Sequence, residues 1–204
     1  MKTFLFFFLV FSLFNSMELL LAETQSAPSH FKKATFAGGC FWCMQPPYDE
    51  LEGVLSSTVG YTGGHKKNPV YEEVCSGTTG HAEAVEILFD PSKITYEELL
   101  NVFWRNIDPT VLNRQFADQG NQYRTAIFYH DEDQKLMAET SKSKLEQSGK
   151  FRQAIVTEIS PASVFYKAEE YHQKYYRKET DQYRFYKKGS GREEYLERVW
   201  GEKK

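Results

Sequence analysis

Ala34-Thr35-Phe36-Ala37-Gly38-Gly39-Cys40-Phe41-Trp42-Cys43 compresses a strand, a turn and a helix start into one short run. Ala34 to Ala37 is a short apolar strand, Gly38-Gly39 ends it, and Cys40 to Leu51 reads as a helix that closes near Gly53. Pro46 and Pro47 fall inside that helix and predict a kink or a delayed regular start. Working outward, Val54 to Tyr61 is a second strand. The stretch from Thr62 to Gly80 is a long connection marked by Gly63-Gly64, Asn68-Pro69 and Ser76-Gly77, and long ordered connections are often functional. His81 to Phe89 alternates, with Val85, Ile87 and Phe89 on one face and Ala84, Glu86 and Leu88 on the other, until Asp90-Pro91 stops it. Thr95 with Glu98 forms a capping box, and Leu99, Leu100, Phe103 and Ile107 recur at helical spacing, so a helix is predicted from Tyr96 to Ile107. Tyr123 to Tyr129 alternates as a strand, Asp131 opens a helix to about Gln147, Ala154 to Ile159 is a last strand, and Phe165 to Lys178 is helical.

The central order of strand, helix, strand, strand, helix, strand predicts an α+β fold, with a ferredoxin-like split β-α-β core, added helices and a long C-terminal tail. Three segments follow: residues 1–22 as a signal peptide, 32–190 as the folded domain and 191–204 as the tail. Met1-Lys2 precedes an apolar run from Thr3 to Phe14, and a second run spans Leu19 to Ala22. That is the pattern of a secretory signal, cut after Ala22 or as late as Ala27. Each run is too short to cross a bilayer alone and Glu18 interrupts them, so a secreted or periplasmic location is expected, with an uncleaved membrane-anchored form as the alternative.

The chain has 204 residues and a net charge of -3, and its acidic and basic residues interleave. This gives no electrostatic footprint for nucleic acid. The aromatic tail, with Tyr171, Tyr175, Tyr176, Tyr183, Phe185 and Tyr186, mixes acidic with basic residues and is read as packing across the domain rather than stacking on bases. Only three cysteines exist, Cys40, Cys43 and Cys75, so the chain is not a disulfide scaffold.

Cys40 stands where a strand ends and a helix begins. Free backbone amides and the positive end of the helix dipole predict a lowered pKa and a reactive thiolate there. Phe41 and Trp42 are either core residues or the walls of a small apolar pocket for a methyl group beside sulfur. Alternation puts Glu83 on the face of Val85, Ile87 and Phe89. A carboxyl there is either buried, protonated and fit to be a general acid, or it lies at a frayed strand end and reaches solvent.

The run Gly38-Gly39-Cys40-Phe41-Trp42 resembles the signature of the A-type peptide methionine sulfoxide reductases. So do Gly60-Tyr61-Thr62-Gly63-Gly64, Asn68-Pro69-Val70-Tyr71, Val74-Cys75-Ser76-Gly77, Gly80-His81-Ala82-Glu83-Ala84-Val85 and Asp118-Gln119-Gly120-Asn121-Gln122-Tyr123-Arg124, over roughly Lys33 to Lys178. The resemblance implies that Cys40 attacks the sulfoxide sulfur and that Glu83 protonates its oxygen. It further implies that Tyr71 and Tyr123 hydrogen-bond that oxygen, Asp118 supports them, and Phe41 with Trp42 holds the methyl group. Left to their own sequence context, Tyr71 and Tyr123 could be ordinary half-buried tyrosines and Asp118 a turn former. Attack leaves Cys40 as a sulfenic acid, which condenses with a nearby thiol. No cysteine follows Cys75, so the chain resembles the subgroup in which Cys43 resolves, and Cys75 is read as structural.

The expected reaction is thiol-dependent reduction of the S epimer of methionine sulfoxide, free and in proteins, with no cofactor and no metal. The expected partners are oxidised proteins, free methionine sulfoxide and a thioredoxin-like reductase, with dithiols as substitutes. No nucleic acid and no stable membrane span after processing are expected, and the chain is expected to act as a monomer. Two rivals share the same residues. A thiol-disulfide oxidoreductase also uses Cys-x-x-Cys after a strand. A non-enzymatic zinc module would instead bind through Cys40, Cys43, Cys75 and His81.

Overall fold

The structure is a computed structural model that describes residues 30–201. The expected signal peptide lies outside the described residues. Among the described residues, no helix is long and apolar enough to cross a membrane.

Strand β1 (Lys32–Gly38) is buried over its last five residues, as a strand flanked on both sides and covered on both faces must be. It pairs antiparallel with β3 (Ala82–Phe89), Phe36 standing opposite Val85, and antiparallel with β6 (Thr125–Tyr129), Phe36 opposite Ile127. Strand β2 (Val54–Thr62) pairs antiparallel with the other edge of β3. Thus β1 and β2 run parallel with β3 inserted between them, the split arrangement expected from the sequence. Two strands extend the sheet: β7 (Glu158–Pro161) joins parallel to β6, and β8 (Tyr166–Lys167) joins antiparallel to β2. The spatial order is β7-β6-β1-β3-β2-β8. A separate two-stranded hairpin, β4 (Arg114–Gln115) and β5 (Asp118–Gln119), carries Asp118, and the long connection between β2 and β3 holds the short helix α3 (Tyr71–Cys75).

Helices α4 (Tyr96–Trp104) and α5 (Glu132–Gln147) supply Leu99, Leu100, Phe103, Ala138 and Leu145 to a core with Ala34, Phe36, Val85, Ile87 and Ile127 of the sheet. Phe36 lies at its centre, its ring stacked on those of Phe103, Tyr48 and Tyr96 at centroid distances of 5.2, 5.7 and 5.9 Å. The caps fall where the sequence puts them. The Glu98 amide donates to Thr95 Oγ1 at 3.2 Å and the Thr95 amide to Glu98 Oε2 at 2.8 Å, while the Gln134 amide donates to Asp131 at 2.7 Å.

Several elements differ from the sequence expectation. The helix foreseen from Cys40 to Leu51 is two single turns, α1 (Phe41–Met44) and α2 (Pro46–Asp49), because prolines at 46 and 47 have no amide hydrogen to give to carbonyls 42 and 43. Helix α4 stops three residues early, at Trp104 rather than Ile107. The side-chain amide of Asn106 donates to the Val102 carbonyl at 2.7 Å, taking the acceptor that its own backbone amide would use in a continued helix. Strand β6 starts at Thr125 instead of Tyr123, after a 3₁₀ turn over Asn121–Tyr123, and β7 spans Glu158–Pro161 instead of Ala154 to Ile159, since the Val156 amide is spent on the Pro109 carbonyl at 2.8 Å.

The helix foreseen from Phe165 to Lys178 is largely absent. Tyr166 and Lys167 pair with Tyr61 and Gly60, a 3₁₀ turn covers Glu170–His172, and Lys174 takes a left-handed φ of 55° before the single turn α6 (Tyr175–Lys178). The Gln173 side chain bonds both the amide and the carbonyl of Val59, at 3.0 and 2.9 Å, so long-range pairing overrides local helical pattern here. Beyond it lie α7 (Thr180–Gly189) and α8 (Arg192–Trp200), the latter formed by residues expected as tail, with Arg192 buried in the domain.

Because Phe36 contacts three aromatic rings and has no exposed surface, Phe36→Ala should cost about 3–5 kcal/mol of stability in urea denaturation. A loss below about 1 kcal/mol would show that the ring stack does not centre the core.

Candidate active site

Gly39 adopts φ +82°, and a Cβ there would stand 2.4 Å from Gln115 Cβ, so only glycine makes the turn that presents Cys40. Cys40 occupies the N-cap of α1 and is 6% exposed. Three residues on, Cys43 is 3% exposed, and its amide donates to the Cys40 carbonyl at 3.0 Å. The two thiols therefore flank a single helical turn and bear on each other's ionisation. No long helix has to unwind for them to bond.

Glu83 is the second residue of β3, opposite Tyr61, and is 2% exposed, which rules out the reading in which it reaches solvent. Its Oε2 accepts the Phe41 amide at 3.0 Å. Burial pushes this carboxyl up to about 8, against the lowering effect of the Phe41 amide and with smaller upward contributions from Asp118 and Cys43. At neutral pH it is mostly the protonated acid.

The expected thiolate at Cys40 is overturned. Burial pushes the Cys40 thiol well above the ordinary thiol range, with the hydrogen bond and charge of Cys43 and the proximity of Glu83 acting the same way. The reason is local: α1 has only four residues, so its dipole is small, and its first amide is committed to Glu83 rather than to sulfur. The hydrogen bond from Cys40 holds Cys43 below the usual thiol value, and Arg192 and Lys187 lower it further. At rest, Cys40 is a thiol.

The remaining expected site residues gather around this pair. Phe41 is buried against Val59, Tyr61, Val74 and Ala168, so it is a core residue as well as a neighbour of the sulfur. Trp42 is half-buried; its ring stacks flat on Tyr175 at 3.9 Å, and its Nε1 donates to His172 Nδ1 at 3.0 Å. Because indole only donates, Nδ1 is the acceptor and the neutral ring carries its proton on Nε2; burial lowers the His172 pKa and keeps the ring uncharged. The phenols of Tyr71 and Tyr123 are pushed up by burial and by the nearby Glu83, with Cys75 hydrogen-bonded to Tyr71. Asp118 accepts the Tyr186 hydroxyl at 2.5 Å, and burial raises its pKa.

Tyr186 also bears on Cys40: it lowers the pKa of that thiol, while burial, Cys40 and Asp118 raise its own. Neither it nor Tyr175, His172 or Arg192 was distinguishable by sequence reading, because each sits in a tail where aromatic and basic residues recur every few positions. His81 lies apart from the cysteines in function: its Nδ1 accepts the Gly64 amide at 3.1 Å and its Nε2 bonds the Lys66 carbonyl at 2.7 Å. Among the described residues no group of three or more Cys, His, Asp or Glu is disposed to hold a metal ion.

The arrangement defines a thiol-based oxidoreductase centre with a neutral carboxylic acid beside a buried pair of thiols. Residues 32–204 match the family of peptide methionine sulfoxide reductases. A Bacillus licheniformis peptide methionine sulfoxide reductase MsrA is 57% identical over 170 residues, covering 83% of this chain and 94% of that protein. The crystal structure of Mxr1 from Saccharomyces cerevisiae in reduced form superposes with a TM-score of 0.71 at 33% identity, over 76% of this chain and 88% of the yeast one. Mxr1 in complex with Trx2 matches at 25% identity with a TM-score of 0.52, over 76% of this chain and 91% of that one. The chain belongs to the peptide methionine sulfoxide reductase family.

Since burial opposes ionisation, alkylation of Cys40 by iodoacetamide in the substrate-free protein should climb with pH to a midpoint above the ordinary thiol value of about 8.5, as read by peptide mass mapping. A midpoint below that value would overturn the resting thiol.

Proposed function

We propose that Cys40 attacks the sulfur of methionine S-sulfoxide while Glu83 gives its proton to the departing oxygen, and that Cys43 then resolves the product. The observation that carries this reading is the buried, protonated Glu83 held by the amide next to the nucleophile. A sulfoxide oxygen is basic, so protonating it makes the sulfur electrophilic. Once Glu83 has become a carboxylate it can take up the proton that Cys40 sheds, and a thiol that stays protonated until the acid has acted is spared side reactions. The net step moves one oxygen atom from the methionine sulfur to the Cys40 sulfur, giving methionine and a sulfenic acid. Phenol groups whose ionisation is suppressed, Tyr71 and Tyr123, remain donors for that oxygen throughout. Trp42 and Phe41 offer the apolar surface against which the methyl group rests.

Condensation of the Cys40 sulfenic acid with Cys43 yields a disulfide, and a thioredoxin-like dithiol returns it to the starting state. The yeast relative in complex with Trx2 supports a partner of that class. The substrates are free methionine sulfoxide and oxidised proteins, and the chain works as a monomer. Its place of action is secreted or periplasmic, a reading supported by the apolar runs from Thr3 to Phe14 and from Leu19 to Ala22. An exported dithiol enzyme meets an oxidising compartment and so needs a dedicated reductant there.

Glu83→Gln should slow methionine formation by roughly 10²–10⁴-fold, the range that general acids supply, in an assay with dithiothreitol and separated sulfoxide diastereomers. Wild-type reduction of the S form should fall as pH rises through about 8, where Glu83 loses its proton, and that limb should be missing in the variant. Unimpaired Glu83→Gln, or preference for the R form, would reject the assignment. Cys43→Ser should release one methionine per enzyme and stop, counted in a thioredoxin-coupled assay; sustained turnover would remove Cys43 from the cycle.

A further inference from the structure

Arg192 is the largest of the fully buried side chains, 2% exposed, and it pairs with no carboxylate among the described residues. Its Nη2 donates to the Gly38 carbonyl at 3.1 Å, and its Nη1 to the Asn106 carbonyl and to Met44 Sδ, the latter at 3.6 Å. The Phe116 ring lies 4.5 Å from its Cζ, and its Nε has no hydrogen-bond partner. A guanidinium cannot shed its proton, so this is a permanent positive charge held in a low-dielectric interior; every group it touches directly is neutral, and Asp118 is the carboxyl that feels its charge from further off. Such burial is costly without an anion.

The neighbours point to where the anion arises. Gly38 stands two residues before Cys40 and Met44 directly follows Cys43, so the guanidinium braces both ends of the Cys40–Cys43 turn. A cavity of about 550 Å³ opens onto this same spot, lined by Cys43, Pro46, Pro47, Tyr183, Lys187 and Arg192. Cys40 and Glu83 are not on its wall.

We propose that Arg192 is the counter-ion for the resolving step: its guanidinium stabilises the Cys43 thiolate that condenses with the Cys40 sulfenic acid. The proposal rests on the reading of Cys43 as the resolving cysteine. In the step, the Cys43 thiolate attacks the Cys40 sulfur, an S–S bond forms as the S–O bond breaks, and the hydroxide that leaves takes up the proton shed by Cys43 to become water. No outside oxidant is needed, because the sulfoxide has already oxidised Cys40.

The groups facing Cys43 are of both signs. Arg192 from α8 and Lys187 from α7 favour its ionisation, whereas Asp118 from β5 opposes it, and Glu83 from β3 is neutral near pH 7. Tyr183 of α7 is an un-ionised phenol, its pKa raised by burial. The same cavity is also lined by Glu50, Arg105, Glu193 and Glu197. Lys187 is bridged to Glu193 at 3.0 Å and is partly exposed, so its field is screened, while that of the buried and unpaired Arg192 is not. The largest support for the thiolate, the hydrogen bond from the Cys40 thiol, is consumed when Cys40 becomes a sulfenic acid. From then on Arg192 is the principal support that remains. It is a positioning residue, acting on the reaction through Cys43.

The test compares Arg192→Met and Arg192→Lys with the parent in a Cys40→Ser background, reading the pH dependence of Cys43 alkylation by iodoacetamide with peptide mapping. Arg192→Met should raise the midpoint by about one unit, a tenfold smaller thiolate fraction near neutral pH, and Arg192→Lys should restore most of it. In the full enzyme, rapid quench after one equivalent of methionine sulfoxide should show disulfide formation slowed about tenfold in Arg192→Met. A purely structural arginine would lower the urea midpoint of both variants and leave the Cys43 titration where it was, which would overturn the proposal. Should Arg192→Met fail to fold, Arg192→Gln carries the same comparison. Alkylation reports on Cys43 whether or not it resolves: a shifted midpoint with a disulfide formed elsewhere would indict the resolving assignment, not the counter-ion.

Discussion

A single hydrogen bond, from the Phe41 amide to the Glu83 carboxyl, ties the end of β1 to the beginning of β3 and makes the rest of the site possible. A carboxyl buried at the strand start needs a partner, and the first amide of a one-turn helix needs an acceptor; each satisfies the other. The cost is borne by the neighbouring sulfur. With that amide committed and only four helical residues behind it, nothing positive faces Cys40, and burial keeps it protonated. The acid, rather than a pre-formed nucleophile, is what the fold prepares.

The division of charge between the two cysteines follows from which elements surround them. Cys40 faces the sheet, Glu83 and Tyr186, all neutral near pH 7. Cys43 faces the helices after the sheet, which carry Lys187 and Arg192. One turn of helix thus separates a sulfur in an environment that suppresses ionisation from one in an environment that favours it. Coming from the same C-terminal stretch, Tyr175 covers the Trp42 face and Tyr186 bonds Asp118, so this part of the chain builds the second wall of the site.

The alternating and capped elements were legible before any coordinates. β1, β2 and β3, the capping box at Thr95 and Glu98, and the N-cap at Asp131 all emerge from patterns within a few residues, since side-chain direction repeats every two residues in strands and every three or four in helices. Placing Glu83 on the apolar face of β3 came from the same rule. Its depth of burial did not, because that depends on what covers the strand end. The shortened α4 and the lost helix after Phe165 failed for one reason: a side chain or a distant strand took the backbone partner that local pattern would have assigned.

Sequence by itself determined the strand order of elements, the glycine turn before Cys40, the pairing of Cys40 with Cys43 in one short run, and the candidate acid, because each is written in neighbouring residues. Tertiary structure decided the protonation of Cys40, the cation beside Cys43 and the aromatic cover over Trp42. Ionisation answers to burial and to charges through space, and the guanidinium that touches Gly38 arrives from 154 positions further along the chain, where no local pattern reports it.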